Sequence, residues 1–307
     1  MVRHLEWKRT FTVLAALSLA PCSAYASPYS TINAAAVHDP VTVERLRGGI
    51  AILTGSGGNI SVLVGTDGSF MVDAGIAVSR QKIETALKSL DSGMVRFVVN
   101  THWHWDHADG NAWLRASGAT IIADPHTIGK LSRTVRVEEW EHTFPPIPKA
   151  SLPTDALPRD RVMHFGGEGI SIRHYRPGHT DGDLSVYFWH ADVLATGDTF
   201  WNGMYPFIDY IGGGSIDGAI RAANENLALA GENTQVIPGH GPLGDRAQLT
   251  EFRDMLVSVR ARVAALKSKG QSESDVVAAK PTSDLDGKWG QALISGDLFT
   301  RLVYRGV

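Results

Sequence analysis

The sequence predicts an α/β protein built from two packed sheets with helices on the outside. Three observations carry this. Short β-like runs alternate with amphipathic segments, as strands, helix, strand, helix, twice over. Gly-rich turns separate the early runs, among them Gly55-Ser56-Gly57-Gly58-Asn59 and Thr66-Asp67-Gly68. A long stripe of Leu249, Phe252, Leu256, Val259 and Val263 has helical spacing near the C-terminal end.

Residues 1–26 have the form of an export signal. Arg3, Lys8 and Arg9 give a basic start, Phe11 to Ala20 is mostly apolar, and Ala24-Tyr25-Ala26 is a small-x-small site with cleavage expected after Ala26. The apolar run is too short to span a bilayer, so a retained membrane anchor is the lesser alternative. Cys22 raises a lipoprotein possibility, but Pro21 stands before it where a small residue is expected. The expected location is therefore periplasmic or secreted, with no stable membrane anchor after cleavage. Cys22 is the only cysteine, so a chain cut after Ala26 has no disulfide, thiolate ligand or cysteine nucleophile. The net charge of −3, with both signs mixed, gives no basic footprint for nucleic acid.

Residues 27–40 read as a loose leader, 41–270 as the main domain and 271–307 as a helical extension packed on it. Within the main domain, Val41–Leu46, Ile50–Leu53, Ile60–Val64 and Phe70–Val72 are strand-like. Ser79–Leu90 has helical spacing of Ile83, Leu87 and Leu90. Val95–Val99 reads as a strand buried on both faces. Asn111–Ala116 and Pro125–Leu131 read as helices around a strand at Thr120–Ile122. The stretch 137–160 holds Pro145, Pro146, Pro148, Pro153 and Pro158, which exclude ordinary helix or central strand. It is expected to be either a lid, with Trp140 and His142 facing a cleft, or a static surface excursion. Strands resume at Ile170–Tyr175, Leu184–Phe188, Val193–Ala195 and Thr234–Ile237. Ser215 and Asp245 are candidate caps for helices running to about Ala230 and Lys269.

Residues 101–107 read Thr-His-Trp-His-Trp-Asp-His. Imidazole and carboxylate are ligands of zinc and similar divalent ions. In an extended strand end, His102, His104 and Asp106 share one face and His107 points elsewhere, so one loop can serve two neighbouring ions. The tract sits between a strand and a helix, which argues against a loose His-rich tail. Three later loops each follow a β-like run and carry one more candidate: His179 in Pro177-Gly178-His179-Thr180, Asp198 in Gly197-Asp198-Thr199, and His240 in Gly239-His240-Gly241. Taken singly each is a turn residue; taken together at strand ends they form a donor set.

The order H-x-H-x-D-H, G-H, G-D-T, G-H resembles the metallo-β-lactamase superfamily over roughly residues 41–270, and Val72-Asp73-Ala74-Gly75 looks like its early D-x-G motif. The resemblance implies a four-layer αβ/βα sandwich with metals at the sheet ends. It implies a first metal on His102, His104 and His179, a second on Asp106, His107 and His240, and Asp198 bridging them. Asp73 would brace the histidine loop. Asp198 makes the set look more like that of thioester, lactone and phosphoester hydrolases than that of antibiotic-hydrolysing members, and the chain lacks a convincing extra domain for a glutathione thioester.

The expected cofactor is two zinc ions per chain, with manganese or iron open. The expected activity is hydrolysis of an ester, lactone, β-lactam or similar bond in a small molecule. It would use a metal-bound hydroxide, with Asp106 orienting it or passing a proton to the leaving group. The alternatives are a mononuclear iron oxidoreductase of the same fold, like persulfide dioxygenases, or a non-catalytic periplasmic metal-binding accessory protein. Trp103, Trp105, Phe200, Trp201, Tyr205 and Phe207 are expected to line an apolar cleft. Gly212-Gly213-Gly214 is expected to pass close to the site or to form a plain helix-entry turn.

Overall fold

The computed structural model describes residues 27–307. The expected export signal, with Cys22, lies outside them. The chain enters through helix α1 (Pro28–His38), followed by strands β1 (Thr42–Arg45), β2 (Ile50–Thr54), β3 (Ile60–Gly65) and β4 (Gly68–Val72). Helix α2 (Arg80–Ser89) leads to β5 (Val95–Val99), then the short turns α3 (Trp105–Ala108) and α4 (Asn111–Ala116), β6 (Thr120–Ala123) and α5 (Pro125–Leu131). A small hairpin, β7 (Val135–Val137) with β8 (His142–Phe144), precedes β9 (Asp155–Ala156). The second half holds β10 (Arg161–Phe165), β11 (Glu168–His174), β12 (Leu184–Phe188), β13 (Val193–Ala195), α6 (Ile216–Leu229), β14 (Gln235–Ile237) and α7 (Arg246–Lys267). Three helices, α8 (Glu273–Ala278), α9 (Asp286–Trp289) and α10 (Gly296–Arg305), finish the chain.

Seven strands form one sheet in the order β1-β2-β3-β4-β5-β6-β9, and five form a second in the order β10 to β14. The inner strands of both sheets are mostly buried on two faces and read as apolar runs, whereas the edge strands β1 and β10 are largely exposed or half-buried. Ile50, Ile52, Phe70, Val72 and Val99 of the first sheet face Ile170, Ile172, Val186 and Phe188 of the second. Their neighbours Ala51, Leu53, Met71 and Val98 turn outward under Ile83 and Leu87 of α2 and Leu114 of α4. On the far side, Leu194 and Val236 meet Ala219 and Ala223 of α6 and Phe252, Leu256 and Val259 of α7. The order helix, sheet, sheet, helix is the αβ/βα sandwich.

Helix starts follow their caps. The Ser215 side chain accepts from Gly218 N at the head of α6. Asp245 and Gln248 form a reciprocal capping box at the head of α7. Two expectations fail. Residues 27–40 are not a loose leader: α1 is ordered, with Ala36 buried and the Tyr29 ring stacked on His142 at 3.5 Å. Strand β5 is not buried throughout: Arg96 is exposed and donates to the Asp67 carbonyl, because its long stem reaches the turn before β4. Among the described residues, no helix is long and apolar enough to cross a membrane.

Asp245→Ala removes one arm of the capping box and is expected to lower stability by about 1 kcal/mol. Thermal unfolding followed by circular dichroism should show a fall in Tm of roughly 2–4 °C.

Candidate metal centre

The parallel strands β4, β5 and β6, and the parallel pair β13 and β14, bring their C-terminal ends to one edge of the sandwich. Asp73 follows β4, the histidine tract follows β5, Asp198 follows β13 and His240 follows β14. His179 comes from the loop between β11 and β12. The structure brings all seven candidate donors together. His102, His104, His179 and Asp198 form one group and Asp106, His107 and His240 a second, with the potential ligand atoms of each group within 4.8 Å of one another. Six of the seven side chains are buried; His240 keeps 17 % of its side-chain surface exposed.

The local backbone differs from an extended strand end. After His102 the chain bends, and His104 opens the helical turn α3. Asp106 and His107 therefore sit on a helical turn, so they leave the face of His102 and His104 by rotation rather than by strand alternation. The turn aims both at His240: Asp106 Oδ2 is 3.4 Å and His107 Nε2 also 3.4 Å from His240 Nε2.

Asp198 stands between the groups. Its Oδ1 is 3.1 Å from His107 Nε2. Its Oδ2 is 3.4 Å from both His179 Nε2 and His240 Nε2 and 3.7 Å from His102 Nε2. Gly239 must lack a side chain here, because a Cβ would fall 2.0 Å from Asp198 Oδ1.

An outer ring of acceptors fixes which nitrogen of each ring points inward. His107 Nδ1 donates to Asp73 Oδ2 at 2.8 Å. The Thr101 hydroxyl gives its one proton to the same oxygen at 2.9 Å, so it can only accept from His102 Nδ1 at 3.0 Å. His179 Nδ1 donates to the Phe207 carbonyl at 2.8 Å. His104 Nε2 donates to Asp209 Oδ2 at 3.0 Å. Four ring nitrogens are thereby turned into the centre: Nε2 of His102, His107 and His179, and Nδ1 of His104, of which His107 Nε2 would release its proton to a bound cation. His104 Nδ1 and His179 Nε2 face each other at 3.1 Å with both protons already committed outward. His102 Nε2 is buried without any hydrogen bond, and Asp198 Oδ1 has none of acceptable geometry. Converging unprotonated nitrogens and orphaned carboxylate oxygen fit a divalent cation, and the donor types suit zinc.

The electrostatics agree. Burial, reinforced by the neighbouring His107, drives the His102 imidazole far below its usual range, so it stays neutral. Burial also lowers His104, against the hydrogen bond to Asp209. Burial would lower His107 too, but Asp198, Asp106 and Asp73 outweigh it and hold that ring cationic when no other cation is near. Burial would raise Asp198, yet His240 and the other imidazoles keep it ionised.

Asp209 and Asn59 are site residues that the sequence reading missed. Asp209 Oδ2 also accepts from Trp103 Nε1 at 2.9 Å, and Oδ1 from Gly212 N at 2.6 Å. A Cβ on Gly212 would overlap Asp209 Oδ2, which explains the start of the Gly212–Gly214 run. Asn59 Nδ2 donates to the carbonyls of Pro238 and Gly241 and clamps the His240 loop. Neither belongs to a motif with metal-ligand spacing; their only signals are Gly58 beside Asn59 and the Gly212–Gly214 run three residues after Asp209.

The aromatic expectations divide. Trp105 and Trp201 line a cavity of about 170 Å³ beside the donors, with Trp201 4.2 Å from the His240 ring. Trp103 instead lines a neighbouring cavity of about 220 Å³, because its indole N–H is turned to Asp209. Phe200 packs on Phe252, and Tyr205 stacks on Phe299 and donates to Asp286, so both are core under the loop. Phe207 backs Trp140 rather than the cavity. Trp140 does face the donors, 4.7 Å from His104, whereas His142 turns away to Tyr29 and the neighbouring cavity.

Asp73 lies at φ 68°, which Asn tolerates. Asp73→Asn should preserve the fold and weaken metal affinity by about 10–100-fold, measured by competition with a chromophoric chelator. Tyr205→Phe should cost about 1 kcal/mol of stability in denaturant titration and leave KM unchanged, as a core rather than a cleft residue would.

A family model described as the metallo-beta-lactamase superfamily matches residues 53–243. A probable metallo-hydrolase of Bacillus subtilis is 34 % identical over 95 residues, covering 29 % of this chain and 44 % of its own. A hydroxyacylglutathione hydrolase of Brucella anthropi is 31 % identical over 147 residues, 47 % of each chain. The chain thus spans less than half the length of these curated relatives. Among solved structures, a metallo-beta-lactamase from Pontibacter korlensis superposes with a TM-score of 0.57 at 18 % identity, covering 71 % of this chain and 99 % of that one. The sec-alkylsulfatase Pisa1 from Pseudomonas sp. gives a TM-score of 0.64 at 16 % identity, covering 86 % and 50 %. At such identities these two share the fold alone. With the family model covering well over half of the chain, most of both sheets and every candidate donor, the chain belongs to the metallo-β-lactamase superfamily.

Proposed function

We propose that the protein is a dinuclear zinc hydrolase acting on an ester, lactone, β-lactam or related bond of a small molecule. The single observation that carries this is Asp198, whose two oxygens lie between two separate groups of inward-facing donors. Divalent cations held there would supply Lewis acidity and would lower the pKa of water at the site. His102, His104 and His179 would hold the first cation, Asp106, His107 and His240 the second, with Asp198 common to both.

The chain's own residues supply orientation and proton handling. Asp73, Thr101, Asp209 and the Phe207 carbonyl keep the imidazoles in one tautomer, so no reorganisation is needed when substrate arrives. Asp106 lines the cavity with Asp198 and His240. Its carboxylate is placed to orient the attacking water or to carry a proton toward the leaving atom. Trp105, Trp140 and Trp201 exclude bulk water around these groups, which strengthens every charge interaction inside.

The hydrolase-named relatives support the reaction class over their matched segments. A mononuclear iron oxidoreductase would not need Asp106, His107 and His240 gathered as a second group. The basic start and apolar run of residues 1–26 support export to the periplasm or beyond, where the small-molecule substrate would be met.

Chelator treatment should abolish hydrolysis of a chromogenic ester and zinc should restore it. Asp198→Ala should lower metal content and turnover together, the latter by about a hundredfold or more, the scale of losing one transition-state stabiliser. Full dinuclear occupancy in Asp198→Ala, measured by elemental analysis, would remove the bridging role.

A further inference from the structure

Asp198 is held unlike the other buried carboxylates of the centre. Asp73 and Asp209 are steered by donors outside the candidate ligands: Thr101 for the first, Trp103 and Gly212 N for the second. The side chains at ion-pair distance from Asp198 are all imidazoles of the candidate ligands, His102, His107, His179 and His240. Its Oδ1 makes no hydrogen bond of acceptable geometry. The place of this carboxylate therefore follows from the backbone turn that carries it, residues 196–200.

That turn is pinned at three points. Gly197 sits at φ 52° against the histidine tract, where a Cβ would fall 2.6 Å from the Thr101 side chain. Thr196 N donates to the Ile237 carbonyl at 3.0 Å. The third point is a polar contact from the outer helix layer. Asn226 Nδ2 on α6 donates to Thr199 Oγ1 at 2.9 Å. The Thr199 hydroxyl gives its one proton to the Thr196 carbonyl at 2.8 Å, so toward Asn226 it only accepts. This fixes the amide. Asn226 Oδ1 is turned to the Tyr175 hydroxyl, which donates to it and lies 2.8 Å from Ser185 Oγ. Thr199, Asn226, Tyr175 and Ser185 are all buried. Asparagine is among the weaker helix formers, and a buried amide is costly unless both its ends are satisfied. Here both ends are, and one of them is spent on the residue next to Asp198.

The same turn backs the His240 loop. Gly239 N donates to the carbonyls of Gly197 and Phe200 at 2.8 and 3.0 Å, and Asn202 N donates to the His240 carbonyl at 2.9 Å. The turn sets Asp198 directly and His240 at one remove. The rings of His102, His104 and His179 are aligned elsewhere, by Thr101, Asp209 and the Phe207 carbonyl. A shifted turn would thus cost the first cation only its share of Asp198, and the second cation both Asp198 and His240.

We infer that Asn226 is a positioning residue for the second cation, acting through Thr199. This rests on the dinuclear reading of the site and adds the group that governs its second half.

The zinc-loaded protein is stripped with increasing amounts of a chromophoric chelator, which resolves the two binding steps without any substrate. Asn226→Leu should weaken the second step by about tenfold or more, and the first step by several-fold less, the scale of removing a partner that orients a ligand. Thr199→Val removes the other end of the contact at nearly constant shape and should give the same selective loss, which keeps the test open if Asn226→Leu folds poorly. Thr199→Ser keeps the hydroxyl and should restore the second step. The double variant Asn226→Leu with Thr199→Val should bind no more weakly than the worse single variant, because one contact is lost only once. Tyr205→Phe loses a hydrogen bond in the loop after Asp198 and should leave both steps unchanged, which separates positioning from general loosening. Equal weakening of both steps in Asn226→Leu, additive losses in the double variant, or the same selective loss in Tyr205→Phe overturns the inference. A single zinc in the unaltered protein would strike the dinuclear reading itself, and this inference with it.

Discussion

The centre depends on one constraint: histidines buried at the edge of two sheets must present lone pairs inward, and only committed acceptors behind them can enforce it. Asp73, Thr101, Asp209 and the Phe207 carbonyl do this for four rings. Each takes the outer proton, so the inner nitrogens of His102, His104 and His179 have nothing left to donate, and His107 alone keeps an inner proton that a bound cation would displace. Without a cation, His104 and His179 present lone pairs to each other at 3.1 Å, an arrangement that is repulsive by itself. The fold holds it because backbone hydrogen bonds tie the β11–β12 loop to the histidine tract and to the Asp209 loop. Leu184 N donates to the Thr101 carbonyl, and Asp209 N donates to the His179 carbonyl. A donor set held in this way is preorganised for a cation.

The sandwich explains why the donors meet. Parallel strands deliver their following loops to one edge, so residues far apart in sequence become neighbours without any long-range signal in the sequence itself. Asp73, His102, Asp198 and His240 all arrive this way. The second half repeats the arrangement with α6 and α7 as its outer layer, and the C-terminal helices pack over that layer. Phe299 of α10 stacks on Tyr205, tying the extension to the loop that follows Asp198. The cavity is therefore shaped partly by chain that follows the family-matched segment, and on its other side by α1, which precedes it.

Much of this was legible in the sequence. The two-sheet plan followed from the alternation of apolar runs and helical stripes, because the inner strands of both sheets are mostly buried on two faces and so announce themselves. The donors were legible because histidine and aspartate beside glycine turns, at the ends of strand-like runs, have few other uses in combination. What was not legible depends on tertiary contact. Asp209 has no spacing relation to His104, and only the folded loop brings its carboxylate within 3.0 Å of the ring. Phe200 and Tyr205 have the composition of a cleft, but side-chain direction decides whether an aromatic faces substrate or core. Helix α1 carries no strong apolar stripe; it is ordered by Tyr29 stacking on His142 and by Ala36 against the neighbouring turn, contacts invisible to periodicity.

The most direct measurement of the central claim is anomalous diffraction at the zinc edge from crystals of the zinc-loaded protein. Two peaks per chain, one within bonding distance of His102, His104 and His179 and one of Asp106, His107 and His240, with Asp198 touching both, are the result the account predicts. A single peak, or two peaks with Asp198 bound to neither or only one, would contradict it.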